Sequence, residues 1–228
     1  MRTIVIIGGS KGIGKAIVEK ELATNKVINI SRTPVAIEHE NLTQYTCDVV
    51  TDDLPEIPHV DSLVYCPGSI RLKPFKRMTE ADFTEDFQIN VLGAIKAIQF
   101  YLPVIDKDSK KSSIVLFSTV AVKMGMPFHT SVATAKGALE GFAKSLAADL
   151  APTVRVNVIA PTLTDTELAS RILRNDKMKE INADRHPLKK YLQPEEVAGL
   201  ASFLLSESAA AMSGQVVEMD CGIVNLKI

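Results

Sequence analysis

The sequence is short of cysteine. Its three thiols, Cys47, Cys66 and Cys221, lie far apart and form no Cys-x-x-Cys pair. An odd, dispersed set excludes a disulfide framework and a zinc site built on paired thiols, and it fits a reducing cytoplasm. An excess of charge of either sign is also missing. The 26 Lys and Arg against 27 Asp and Glu leave a net charge of −1, so nothing marks nucleic acid or an anionic membrane as a partner. No apolar stretch is long enough to span a bilayer, and the run that starts almost at Met1 is too short for a secretory signal. Repeats, low-complexity tracts and a linker to a second domain are absent. A chain of 228 residues, 46% hydrophobic and 23% charged, is expected to fold as one globular domain, residues 1–228, with a sizeable core.

What the chain does have is a glycine cluster in a telling place. The β-branched run Thr3–Ile7 leads straight into Gly8-Gly9-Ser10-Lys11-Gly12-Ile13-Gly14, and Ile13 to Leu22 reads as the opening of a helix. Strand, glycine turn and helix together seat a dinucleotide pyrophosphate. The glycines let the backbone turn tightly and approach the ligand. The helix N-terminus then offers unpaired N–H groups and a partial positive charge to the phosphates.

Further along, apolar runs alternate with helical stretches. Candidate strands are Thr3–Ile7, Val27–Ile30, Leu42–Cys47, Ser62–Tyr65, Ser113–Ser118, Arg155–Ile159 and Gln215–Met219. That alternation predicts an α/β fold, a parallel sheet with helices on both faces. Thr79-Glu80-Ala81-Asp82 resembles a capping box with Asp in place of Glu. Beyond it Phe83, Phe87, Val91, Ile95 and Leu102 keep helical spacing and are expected to face the core. A second long helix is expected from Val132 to Leu150, its small residues suited to close helix packing, with Pro152 closing it. The connections after the second and third strands are thin or broken by Pro55 and Pro58, so one flank of the sheet should be irregular. Leu163 to Tyr191 carries 12 charged residues and reads either as solvated surface or as a cover over the ligand cleft.

In this order and spacing, these residues resemble the short-chain dehydrogenase/reductase family over nearly the whole chain. Gly8, Gly12 and Gly14 match its glycine motif. Asp48-Val49 falls at its adenine contact, and Cys66-Pro67-Gly68 at its Asn-Asn-Ala-Gly segment. Asn90 lies at its helix asparagine. Ala135-Lys136-Gly137-Ala138-Leu139-Glu140-Gly141-Phe142 resembles its active-site helix. Arg155-Val156-Asn157 through Pro161 and Leu163 to Thr166 resembles the segment beside the nicotinamide. Pro194-Glu195-Glu196-Val197-Ala198 and Ser213-Gly214-Gln215, with Asp220 and Gly222, match its C-terminal pattern. The resemblance implies a doubly wound parallel β-sheet (a Rossmann fold), a nicotinamide cofactor, a small-molecule substrate, and a homo-dimer or homo-tetramer with the two long helices at an interface. It places the cofactor against Gly8, Ser10, Lys11, Gly12, Ile13, Gly14, Ser31, Arg32, Asp48, Val49, Gly68, Asn90, Lys136, Pro161, Leu163 and Thr166.

Two positions sharpen that expectation. A free ribose 2′-hydroxyl calls for a carboxylate after the second strand, and a 2′-phosphate for a cation. Here stands Ser31-Arg32, with Lys11 as a second cation in the glycine turn, which favours NADP(H). The family's chemistry uses a Tyr as acid or base and a Lys one helical turn later. Four residues before Lys136 is Val132, which has no proton to give. Thr119 stands at the family's serine, with Ser118 one residue away. The resulting catalytic set is Asn90, Thr119 and Lys136, with His129, three residues before Val132, as the replacement proton donor. Ser131, or a water held by Asn90 and Lys136, are further candidates. Ile7 replaces the glycine motif's usual Thr, and Tyr65-Cys66-Pro67 its usual Asn-Asn-Ala. The reading is an NADPH-dependent carbonyl reductase. The alternatives are an enoyl or dienoyl thioester reductase and a nucleotide-binding protein with little turnover.

Overall fold

The computed structural model describes residues 1–108 and 111–227. Seven strands form one sheet: β1 (Thr3–Ile7), β2 (Lys26–Ser31), β3 (Leu42–Thr46), β4 (Ser62–Tyr65), β5 (Ser113–Phe117), β6 (Arg155–Pro161) and β7 (Val216–Met219). Their order is β3-β2-β1-β4-β5-β6-β7, and every pairing is parallel. Buried on both faces, β1, β4 and β5 read as unbroken apolar runs rather than alternating ones.

The helices are α1 (Gly12–Glu21), α2 (Glu80–Phe87), α3 (Gly93–Tyr101), α4 (Ala121–Met124), α5 (Thr130–Leu150), α6 (Asp176–Asp184) and α7 (Pro194–Leu205). One core lies under α1 and α7, where Ile17 and Val18 meet Val197, Ala201 and Leu204. The other lies under α3 and α5, where Ile98 and Tyr101 join Leu139 and Ala143 against the sheet. The chain runs outward from β1 to β3 and then returns to β4 beside β1. That reversal opens a crevice at the carboxyl ends of β1 and β4, the place where doubly wound sheets hold their ligands.

The flank at β3 is irregular, as the prolines lead one to expect. No helix follows β2 or β3 before Ser62, and Thr43 to Thr46 are exposed. The segment after β2 is instead held flat by Gln44, whose side chain accepts from the Val35 N–H (2.8 Å) and donates to the Val35 carbonyl (3.2 Å).

The expected face of the helix beginning at Thr79 needs correction. Its capping box is present, with Thr79 and Asp82 satisfying each other's backbone amides. Residues Gln88–Leu92, however, form a π turn between α2 and α3. The extra residue rotates the buried stripe. Asp82 and Asp86 in α2 are buried, as are Asn90 and Val91 within the turn and Ala94, Ala97, Ile98 and Tyr101 in α3. Phe87 is 37% exposed instead of core, Phe83 is half-buried, Ile95 is half-buried yet packs against the core as expected, and Leu102 falls in a 3₁₀ turn beyond α3. Helix starts shift slightly from expectation, α1 to Gly12 and α5 to Thr130.

Candidate functional site

The glycine turn follows β1 at the crevice. Gly8 and Gly12 have φ of +81° and +53°, a region that favours glycine. A Cβ on Gly14 would fall 2.2 Å from the Gly8 carbonyl oxygen, so α1 can begin this close to β1 only with glycine there. The start of α1 carries no capping side chain and no acidic residue in its first turn. Its amides and the positive end of its dipole are thus open to an anion. These features fit a pyrophosphate. Ser10 and Ile13 are half-buried within the same turn, whose floor is tied down by the Gly9 N–H donating to Asn29 Oδ1 at 3.0 Å.

At the end of β2 Arg32 is exposed, while Ser31 is buried. The Ser31 hydroxyl donates to the Thr33 carbonyl at 2.7 Å, so its proton is directed inward rather than toward a phosphate, and Arg32 is the outward-facing group. Lys11 is exposed and pairs with Glu167 at 2.7 Å. Asp48 braces its own loop by accepting from the Val50 amide (3.0 Å), and Val49 is buried beside it. Pro67 crosses to Gly8, lying 3.0 Å from where a Gly8 Cβ would sit, so the segment after β4 closes on the glycine turn.

From the other side come Pro161 at the end of β6, then Leu163 and Thr166. Thr166 lies over the glycine turn, with its methyl 3.1 Å from where a Gly12 Cβ would sit. Together with the Lys11–Glu167 pair, this makes the charged segment after β6 a cover on the crevice rather than only solvated surface. A cleft of about 570 Å³ lies between this cover, α1 and the start of α7, and none of Asn90, Thr119, Val132 or Lys136 lines it.

Lys136 projects from α5 and is 7% exposed. Its ammonium donates to the Phe117 carbonyl at the end of β5 (2.7 Å). Burial pulls its pKa down to about 8, against the opposing pull of Cys66 and Asp86. Burial pushes the Cys66 thiol up to about 12. Gly68 brings Lys136 and Asn90 together: a Cβ there would lie 3.1 Å from Asn90 Oδ1 and 3.5 Å from Lys136 Nζ. Asn90, in the π turn, is fully buried, and its Oδ1 has no partner. Val132 is buried one helical turn before Lys136.

Two hydroxyls follow β5. Ser118 donates to the Glu140 carboxylate, whereas Thr119 is half-buried and accepts from the Ala121 amide at 3.3 Å. His129 sits at the N-cap of α5 but does not cap it. Its Nδ1–H donates to the Pro127 carbonyl (2.7 Å), so Nε2 is the nitrogen left to exchange a proton. Sequence reasoning missed Asp86 and Ser69, which meet Asn90, and gave Ser131 no partner. The signal was present as three polar residues, Asp82, Asp86 and Asn90, each four apart on one helical face. Among the described residues no cluster suits a metal ion, and no helix is long and apolar enough to cross a membrane.

Comparison with known proteins completes the picture. A family described as Enoyl-(Acyl carrier protein) reductase matches residues 10–224. The 3-oxoacyl-[acyl-carrier-protein] reductase FabG of Aquifex aeolicus is 29% identical over 96% of this chain and 96% of its own length. A tropinone reductase homolog of Arabidopsis thaliana is 30% identical over 97% of this chain and 78% of its own. The crystal structure of a short chain dehydrogenase family protein from Francisella tularensis superposes with a TM-score of 0.88 at 26% identity, covering 99% of this chain and 100% of that one.

Proposed function

This chain belongs to the short-chain dehydrogenase/reductase family of oxidoreductases, and on that premise we propose that it is an NADP(H)-dependent reductase of a small carbonyl compound that draws its proton from a group other than the family's tyrosine. The observation that carries the reading is the uncapped start of α1 under the glycine turn, with Arg32 exposed at the end of β2 where a carboxylate would select NAD(H).

In this reading Gly8, Ser10, Gly12, Ile13 and Gly14 let backbone amides meet the pyrophosphate. Lys11 and Arg32 attract the 2′-phosphate, for which Ser31 would have to turn its hydroxyl outward. Asp48 and Val49 flank the adenine. Gly68, Pro161, Leu163 and Thr166 surround the nicotinamide half, and Lys136 holds its ribose. The bound cofactor supplies hydride. Thr119 and Asn90 orient the substrate carbonyl, and His129 Nε2, once protonated, gives the proton to its oxygen. Positioned acid–base catalysis is worth roughly 10²–10⁴ in rate, or about 3–5 kcal/mol of barrier. Holding two reactants in register contributes about 7–11 kcal/mol. A valine at the tyrosine's place thus slows carbonyl reduction without abolishing it.

One observation favours a second reading, an enoyl thioester reductase: the family description that matches residues 10–224 names that activity. There the proton goes to carbon, and a phenol is less needed. We also place the protein in the cytoplasm as a homo-oligomer. A second copy would cover the half-exposed Phe83, Phe87 and Leu92 beside α5.

Nicotinamide oxidation measured with panels of ketones, aldehydes and enoyl thioesters tests the proposal. Ketone turnover with NADPH that drops at least tenfold in His129→Ala supports it. Turnover with unsaturated thioesters alone transfers the assignment to the second reading. Tight NADPH binding with no turnover on any panel makes the chain a binding protein.

A further inference from the structure

Asp86 is a fully buried carboxylate that the reaction scheme above does not use. Ser69 Oγ donates to its Oδ1 at 2.5 Å, and Ser131 Oγ donates to its Oδ2. The Arg71 guanidinium lies 3.4 Å away but is shared with Asp82 and Glu85. Having given its proton to Asp86, Ser69 Oγ can only accept from Asn90. It does so, taking one Nδ2 proton at 3.0 Å, while the other goes to the Asp86 backbone carbonyl at 2.8 Å. Flipping the Asn90 amide would set its oxygen against two acceptors, with no donor between them. The carboxylate therefore fixes which way the amide points. Its Oδ1 is turned toward Gly68 and Lys136, where it is buried and unpartnered. An acceptor left bare in that position is costly unless it receives a donor during the work of the site.

We propose that Asp86 is a positioning residue for the reaction: through Ser69 it locks the Asn90 amide with Oδ1 facing the Lys136 ammonium, so that the two present one acceptor and one donor to the same point. This rests on the reading that Asn90 and Lys136 serve the chemistry. Ser131, next to Val132 in sequence, ties the same carboxylate to α5 and so holds the two helices in register. Asp86 and the Cys66 thiol are the titratable groups that act on Lys136. Loss of the carboxylate's charge removes one of the influences that keep the ammonium protonated.

The test uses the whole protein without substrate, so that failure to find a substrate counts against the reductase reading alone. Side-chain NMR with labelled lysine follows the Lys136 titration, assigned with Lys136→Arg, and the Asn90 side-chain amide is followed in parallel. In Asp86→Asn, nearly the same size, the Lys136 midpoint is expected to fall by about half a unit or more, and the Asn90 amide signals to move. In the active holoenzyme kcat should fall about 10- to 100-fold with the KM for NADPH unchanged. Ser69→Ala keeps the charge and breaks only the lock. It should move the Asn90 signals and lower kcat while leaving the Lys136 midpoint in place, and it stands in should Asp86→Asn fail to fold. A folded Asp86→Asn with unchanged Lys136 and Asn90 signals, or a Ser69→Ala with unchanged Asn90 signals, overturns the proposal.

Discussion

The Lys136 ammonium reaches from α5 to the Phe117 carbonyl at the tip of β5, 2.7 Å away, and so pins the long helix to the sheet at the site. Burial brings its pKa from 10.5 to about 8. The folded value is depressed, so protonation is harder in the folded than in the unfolded chain. Lys136 therefore costs stability below pH 8, and that cost fades as pH rises from 8 to 10.5. Lys136→Met should raise stability at pH 7 by on the order of 1–3 kcal/mol, less what the unpaired Phe117 carbonyl takes back, and should abolish the gain between pH 8 and 10.5. Urea titrations across that range check it. Turnover that needs the ammonium should fall off on the alkaline side with a midpoint near 8.

Gly14→Ala places a methyl 2.2 Å from the Gly8 carbonyl oxygen; the methyl is fixed by its own backbone and the oxygen is backbone, so neither can swing away. The turn must open, and the amides that would meet a phosphate lose their alignment. NADPH affinity should fall by at least 100-fold, at a stability cost of about 1–3 kcal/mol. Gly141→Ala serves as control, since nothing lies within 4 Å of its Cβ. Fluorescence titration with NADPH and thermal melts distinguish the two.

Thr79→Ala removes the side-chain acceptor for the Asp82 amide at the start of α2. The expected loss is about 0.5–2 kcal/mol. Asp82 also loses one of the donors that, after Lys73, hold its carboxyl well below the usual range. That depressed group lends stability above the ordinary carboxylate pKa and loses it as pH falls. Thr79→Ala should therefore unfold at a higher pH than the parent in an acid titration followed by circular dichroism.

The sheet was legible because buried parallel strands must be continuous apolar runs, and among the described residues no strand was missed. The glycine turn was legible because few sequences put glycines at that spacing between a strand and a helix. The face of α2 was not. The π turn at Gln88–Leu92 leaves no mark in residue type, and it breaks the single helical stripe that Phe83 and Phe87 mimic, leaving Phe87 exposed and Phe83 half-buried. Asp86 escaped for the related reason that a carboxylate on a helix is ordinarily solvated. Its burial depends on Ser69 and Ser131, 17 and 45 residues away in the chain. The pairing of Lys11 with Glu167 was equally invisible, since 156 residues separate them.

Calorimetric titration of the protein and of Arg32→Asp with NADPH and NADH measures whether the start of α1 and the end of β2 together hold NADP(H). The parent should bind NADPH more tightly than NADH, with the preference lost or reversed in Arg32→Asp. Absence of binding heat with either nucleotide, or an unchanged NADPH/NADH ratio in Arg32→Asp, would contradict it.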